Sequence, residues 1–171
     1  MMKILLCGYM ASGKTIIARL LGKTIGMEVL DLDQIIEEKA GKTIPELFAG
    51  EGEIKFRRLE HDSLKELMNV RGGFILSLGG GTPCYADNHI FLQQDDVVSV
   101  YLKTSIEEIV KRLKHEGKGR PLLDNLPEDE LPDYVAKHLF DRSYYYHQAK
   151  HTIATDGKSP EDIVNELMSL Y

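Results

Sequence analysis

Gly8-Tyr9-Met10-Ala11-Ser12-Gly13-Lys14-Thr15 is the stretch of this 171-residue chain whose residue types and spacing carry the plainest chemistry. It has the form G-x-x-x-x-G-K-[ST], a phosphate loop. Gly8 and Gly13 permit backbone conformations forbidden to other residues, so the N–H groups of Ala11, Ser12, Gly13, Lys14, Thr15 and Ile16 can converge on phosphate oxygens. The positive end of a following helix adds to that attraction. Lys14 supplies a point charge for the β- and γ-phosphates, and the Thr15 hydroxyl is placed to ligate Mg²⁺. The plain alternative is a glycine-rich turn with a surface lysine. The flanks speak against it, because the apolar run Ile4-Leu5-Leu6-Cys7 precedes the loop and Ile16, Ile17, Leu20, Leu21 and Ile25 follow at helical spacing.

Further along, Asp31 and Asp33 follow an apolar run, Met27 to Leu30, that reads as a second strand. Carboxylates at the carboxyl end of a strand in an open α/β sheet sit where ligands bind. If the strand continues the two point the same way, one toward Mg²⁺ and one toward a substrate hydroxyl; a turn would splay them, and the plain reading is a helix N-cap beside a solvated aspartate. Arg57 and Arg58 lie in a helical pattern and diverge by about 100°, so only one of them can face a given ligand. Gly79-Gly80-Gly81 follows a third strand, Phe74 to Leu78, and allows close backbone approach to a ligand. Gly117 to Asn125 breaks a helical pattern with flexible and basic residues, including Arg120, as a mobile lid carrying a cation does. Arg142 precedes three tyrosines, which read as packing.

These groups need a scaffold. Val97 to Leu102 reads as strand four and His151 to Ala154 as strand five, with helices predicted from Ser105 to Lys114, Asp129 to Ala149 and Pro160 to Leu170. Strands alternate with helices, so one domain with a parallel sheet covered on both faces is expected, with two inserted segments at about 34–68 and 115–132 as the moving parts. A hydrophobic content of 43% is ordinary for a globular protein. No apolar run approaches about 18 residues and a strand begins almost at once, so a cytoplasmic protein is expected. A net charge of −6 speaks against nonspecific nucleic-acid or anionic-membrane binding, while concentrated arginines suit small anionic ligands. Cys7 and Cys84 read as reduced structural residues, and the six histidines show no metal-ligand spacing.

Taken together the phosphate loop, Asp31-x-Asp33, Phe56-Arg57-x-x-Glu60, Gly79-Gly80-Gly81, Gly119-Arg120-Pro121-Leu122-Leu123 and Arg142 followed by Tyr146 resemble the shikimate kinase family over essentially the whole chain. The resemblance implies a nucleoside-monophosphate-kinase-like fold with strand order 2-3-1-4-5 and transfer of the ATP γ-phosphoryl group to the 3-hydroxyl of shikimate. It implies that Asp33 holds the shikimate hydroxyls and takes the proton of the attacking one. Arg57 and Arg142 then grip the carboxylate, and Gly79, Gly80 and Gly81 make backbone contacts. Arg120 closes over the transferring group, Asp31 supports Mg²⁺ near Thr15, and Arg112 stacks on adenine. Ala11 stands where many members have glycine, which is tolerable if φ stays negative there.

Three other readings are weighed against this. A gluconate or nucleotide kinase shares the loop but leaves the triple glycine and Arg57 without a partner. A GTP-dependent switch expects an Asn-Lys-x-Asp motif, and the chain has no Asn-Lys pair. A catalytically dead binding protein has no reason to keep Lys14, Asp33, Arg57, Arg120 and Arg142 together. Monomer is the default expectation.

Overall fold

A computed structural model of the chain describes residues 2–116, 123 and 125–171. Five strands form one parallel sheet: β1 (Lys3–Cys7), β2 (Val29–Asp31), β3 (Ile75–Ser77), β4 (Val97–Lys103) and β5 (His151–Ala154), in the order β2-β3-β1-β4-β5. The register pairs Leu5 of β1 with Leu76 of β3 on one side and with Ser99 of β4 on the other. Among the described residues, seven α-helices surround the sheet: α1 (Lys14–Ile25), α2 (Leu32–Ala40), α3 (Ile44–Glu51), α4 (Glu53–Asn69), α5 (Ile106–Glu116), α6 (Leu131–Tyr146) and α7 (Pro160–Met168).

Strand alternation divides the core. Leu5 and Cys7 of β1 face a cluster with Leu76, Tyr101, Ile36, Phe56, Leu64, Val135 and Tyr146, whereas Ile4 and Leu6 face Ile17, Leu21, Ile163 and Leu167 on the other side. The apolar run Ile4 to Cys7 of β1 follows from this, since both faces of a parallel sheet are covered. Helix α1 is stopped by Gly26 in the left-handed conformation, and Gly22 has no room for a Cβ, which would lie 2.1 Å from Val29. Ile16 departs from the expected apolar face and is 62% exposed, one residue off the stripe that Ile17 and Leu21 bury.

The capping signals hold. Thr43 and Ser159 each form a reciprocal capping box before a proline, starting α3 and α7. The segment expected at 34–68 is three helices, α2 to α4, and the helix expected from Asp129 begins at Leu131 after a 3-10 turn over Glu128–Glu130. Among the described residues no helix is long and apolar enough to cross a membrane.

Candidate active site

Three loops leave the carboxyl ends of the neighbouring strands β2, β3 and β1, and the candidate residues gather there. The phosphate loop follows β1. Gly8 holds φ 153°, and a Cβ would lie 2.8 Å from the Leu102 carbonyl and 2.9 Å from Ser12 Oγ, so only glycine passes. Gly13 is the N-cap of α1 at φ 89° and has no capping side chain, which leaves the first N–H groups of the helix for an anion. Lys14 Nζ donates to the carbonyls of Gly8 (2.8 Å) and Tyr9 (2.9 Å), so its charge is held over the loop. Ala11 corrects the expectation from sequence: its φ is +62°, not negative. Its carbonyl accepts from Arg112 Nη1 at 2.9 Å, and Arg112 Nε pairs with Glu108 at 3.1 Å, so Arg112 braces the outer side of the loop.

The two aspartates do not share a strand face. Asp31 ends β2 and caps α2, accepting from the Gln34 N–H at 3.2 Å, while its other oxygen accepts the Thr15 hydroxyl at 3.2 Å. Asp33 falls in the first turn of α2 and turns toward the β3 loop. The plain reading of an N-cap plus a solvated aspartate is therefore right for Asp31 and wrong for Asp33. Burial, then the negative charges of Asp31 and Glu60, push the Asp33 carboxyl up to about 6, against the opposing pull of Lys14.

The triple glycine also makes room for side chains. None of the three holds a positive φ; what matters is the missing side chain. A Cβ on Gly79 would lie 2.8 Å from Asp33 Oδ1, one on Gly80 would lie 3.4 Å from Arg142 Nη1, and one on Gly81 would lie 2.8 Å from both Nη atoms of Arg57. Each glycine thus seats one charged side chain, brought from α2, α6 and α4 in turn. Gly80 also abuts the phosphate loop, its Cβ position being 3.5 Å from the Met10 nitrogen.

Several members of this constellation were outside the sequence-based site. Glu60, 1% exposed, accepts from Arg57 Nη1 at 2.9 Å and from the Thr82 hydroxyl at 2.8 Å, one helical turn after Arg57. Tyr146, one turn after Arg142, donates to the Gly80 carbonyl at 2.5 Å. Tyr9 is buried in the phosphate loop, its hydroxyl 2.9 Å from His138 Nδ1 on α6 and its ring 5.9 Å from the Arg142 guanidinium. Arg58 is exposed, whereas Arg57 is half-buried and lies against Gly81. The spacing i, i+3 and i, i+4 was the available signal for Glu60 and Tyr146; Tyr9 carried none. Burial raises both thiols, Cys7 to about 12 and Cys84 to about 11, so neither ionises near neutrality. Arg120 and most of the expected lid lie outside the described residues.

Thr15 and Asp31 present hydroxyl and carboxylate oxygens to one small cavity that Gln34, Ser77 and Arg19 also line. Among the described residues no cluster of three metal-ligating side chains exists. That pairing suits magnesium, which takes one or two protein oxygens and completes its shell with phosphate and water.

A five-stranded parallel sheet in this order, with a phosphate loop after β1 and a glycine wall seating Asp33, Arg142 and Arg57 beside it, defines a P-loop small-molecule kinase of the nucleoside-monophosphate-kinase-like fold. The family model described as shikimate kinase matches residues 10–171. A shikimate kinase of Flavobacterium psychrophilum is 56% identical over 167 residues, covering 98% of this chain and 97% of the relative. Among solved structures, the shikimate kinase of Bacteroides thetaiotaomicron superposes with TM-score 0.90 at 33% identity, covering 99% of this chain and 97% of its own. That of Acinetobacter baumannii, solved in complex with shikimate, gives 0.88 at 35% identity, covering 99% and 92%. The chain belongs to the shikimate kinase family, whose activity is ATP-dependent phosphoryl transfer.

Proposed function

We propose that this protein transfers the γ-phosphoryl group of ATP to the 3-hydroxyl of shikimate, with the acceptor seated against the Gly79–Gly81 wall and the nucleotide on the loop beside it. The observation that carries the reading is the wall itself: a carboxylate at one glycine, a guanidinium at each of the next two, and the phosphate loop against the middle one. Arg57 and Arg142 read the acceptor's carboxylate, arginine being suited to two-point recognition of that group. Asp33 accepts the proton of the attacking hydroxyl as its oxygen bonds to phosphorus and the bond to the β–γ bridging oxygen breaks, releasing ADP. A carboxyl already pushed up to about 6 is matched to proton transfer near neutral pH.

Lys14 and the loop amides balance the charge that develops on the phosphoryl oxygens, with Arg120 closing from the lid. Magnesium, held by Thr15 with Asp31 behind it, neutralises phosphate charge when bound. Arg112 braces the loop on the side from which adenine would approach. The reading extends to a cytoplasmic monomer supplying aromatic amino acid biosynthesis through chorismate, with no nucleic-acid or membrane partner. Coupled ADP release tests it, with ATP and Mg²⁺ and with shikimate, gluconate or nucleoside monophosphates as acceptors. Stimulation by shikimate alone is expected; stimulation by another acceptor, or by none, refutes the assignment of Asp33, Arg57, Arg142 and the glycine wall.

A further inference from the structure

Arg57 is held in an unusual way. Its Nη1 is committed to Glu60, but Nε is buried without a hydrogen bond, Glu53 standing off at 3.6 Å. Hydrogen bonding therefore fixes one corner of the guanidinium and leaves its plane undetermined. Stacking supplies the rest. Its two Nη atoms lie against Gly81, and the Arg57 Cζ is 3.8 Å from the ring centroid of Tyr85, with Phe56 further off at 5.0 Å.

Tyr85 is 36% exposed, so its ring is not core packing. It is placed by a turn that is unfavourable in itself. The Asn88 N–H donates to the Tyr85 carbonyl at 3.0 Å, closing a four-residue turn whose central residues, Ala86 and Asp87, hold φ +50° and +56°. Consecutive left-handed residues in a turn ordinarily call for glycine, asparagine or aspartate, so Ala86 is the residue held against its preference. The surroundings enforce it: Asn88 Nδ2 donates to the Thr82 carbonyl at 2.9 Å, and its Oδ1 lies 2.7 Å from His61 Nδ1 on α4, the helix that carries Arg57. Backbone strain that persists at a site because the surrounding structure over-determines it is characteristic of functional positions.

We propose that Tyr85 is a positioning residue for acceptor recognition: its ring, stacked on the Arg57 guanidinium, fixes the plane in which that group meets the acceptor's carboxylate. The proposal rests on the reading that Arg57 binds that carboxylate. Gly81 and Tyr85, the two ends of one short 3-10 turn (Thr82–Cys84), both close on Arg57, Gly81 at its Nη atoms and Tyr85 over its Cζ. Tyr85 needs only its π face for this, so its hydroxyl is dispensable and an aliphatic side chain of similar bulk does not replace it.

The test is steady-state kinetics of the full chain as Tyr85→Phe, Tyr85→Leu and Tyr85→Ala, each also combined with Arg57→Ala. Tyr85→Phe should match the parent. Tyr85→Leu and Tyr85→Ala should raise the shikimate KM about three- to tenfold, the range of a partly desolvated cation–π contact, with kcat within about twofold and the ATP KM unchanged. In the Arg57→Ala background the Tyr85 substitutions should add nothing. Equal KM values for Tyr85→Leu and Tyr85→Phe, or a common fall in kcat and ATP affinity, would overturn the positioning role while leaving Arg57 in place. If Arg57→Ala by itself leaves the shikimate KM unchanged, the carboxylate reading falls and this proposal with it.

Discussion

Asp33→Asn should inactivate the protein and make it more stable, and the two effects have one cause. In the native state the Asp33 carboxyl is pushed from 3.8 up to about 6, first by burial and then by Asp31 and Glu60. Between about pH 4 and pH 6 the folded chain binds more protons at this site than the unfolded chain, so stability falls as pH rises through that window and stays low above it. The interval corresponds to about 3 kcal/mol at about 1.4 kcal/mol per pH unit. Asp33 keeps some solvent contact, and screening reduces this to about 1–2 kcal/mol. Asparagine has nearly the same shape and never ionises. In a chain of this size the gain reads as a melting temperature about 3–6 °C higher at pH 7.5. The difference should shrink toward zero near pH 4, where the parent's carboxyl is also neutral. Thermal unfolding of both proteins from pH 4 to 8 measures it, alongside kcat, which should fall by about 10²–10⁴ through loss of the proton acceptor. A variant that melts with or below the parent at pH 7.5, or an offset that does not change with pH, refutes the electrostatic account. A parent kcat/KM profile with its acid limb near pH 4 refutes it independently.

The glycine wall gives a graded prediction. Gly79→Ala brings a Cβ within 2.8 Å of Asp33 Oδ1 and 2.9 Å of Thr82 Oγ1, so kcat should drop at least tenfold with nucleotide affinity kept; Gly80→Ala, whose nearest contact is 3.4 Å from the flexible end of Arg142, should act mainly on the shikimate KM, and steady-state kinetics of the pair checks the order. At Ala11, held at φ +62°, Ala11→Gly should stabilise the fold by about 1 kcal/mol without changing the ATP KM, as read by denaturant unfolding and initial rates.

The fold was legible because its punctuation is local. The phosphate loop, the Gly26 stop, the Thr43 and Ser159 capping boxes and the apolar strands each declare themselves within a few residues, and β5 falls on His151–Ala154 as the pattern predicts. Their alternation then leaves little choice but a parallel sheet. The errors fall where a local pattern admits two backbones. Asp31-Leu32-Asp33 is compatible with a continuing strand or a helix start, and the bond from the Gln34 N–H to Asp31 decides for the helix. Ala11 was expected at negative φ because alanine ordinarily is, whereas the loop imposes its geometry on whatever residue stands there.

What sequence could not show is how the charges are seated. Gly79, Gly80 and Gly81 announce close approach, but not which side chains they seat. The side chains of Asp33, Arg142 and Arg57 come first, each from a different helix, and their proximity exists only once α2, α4 and α6 are docked on the sheet. The same docking puts Tyr9 against His138 and Tyr85 over Arg57, contacts between residues 129 and 28 positions apart that no motif encodes. Burial and the approach of Arg142 hold the His138 ring down at about 4, so it stays neutral beside that arginine at physiological pH. An imidazolium there would repel the Arg142 guanidinium. Neutrality at His138 and the missing side chain at Gly80 thus serve one end, leaving the buried Arg142 with neither a second cation nor a Cβ crowding it.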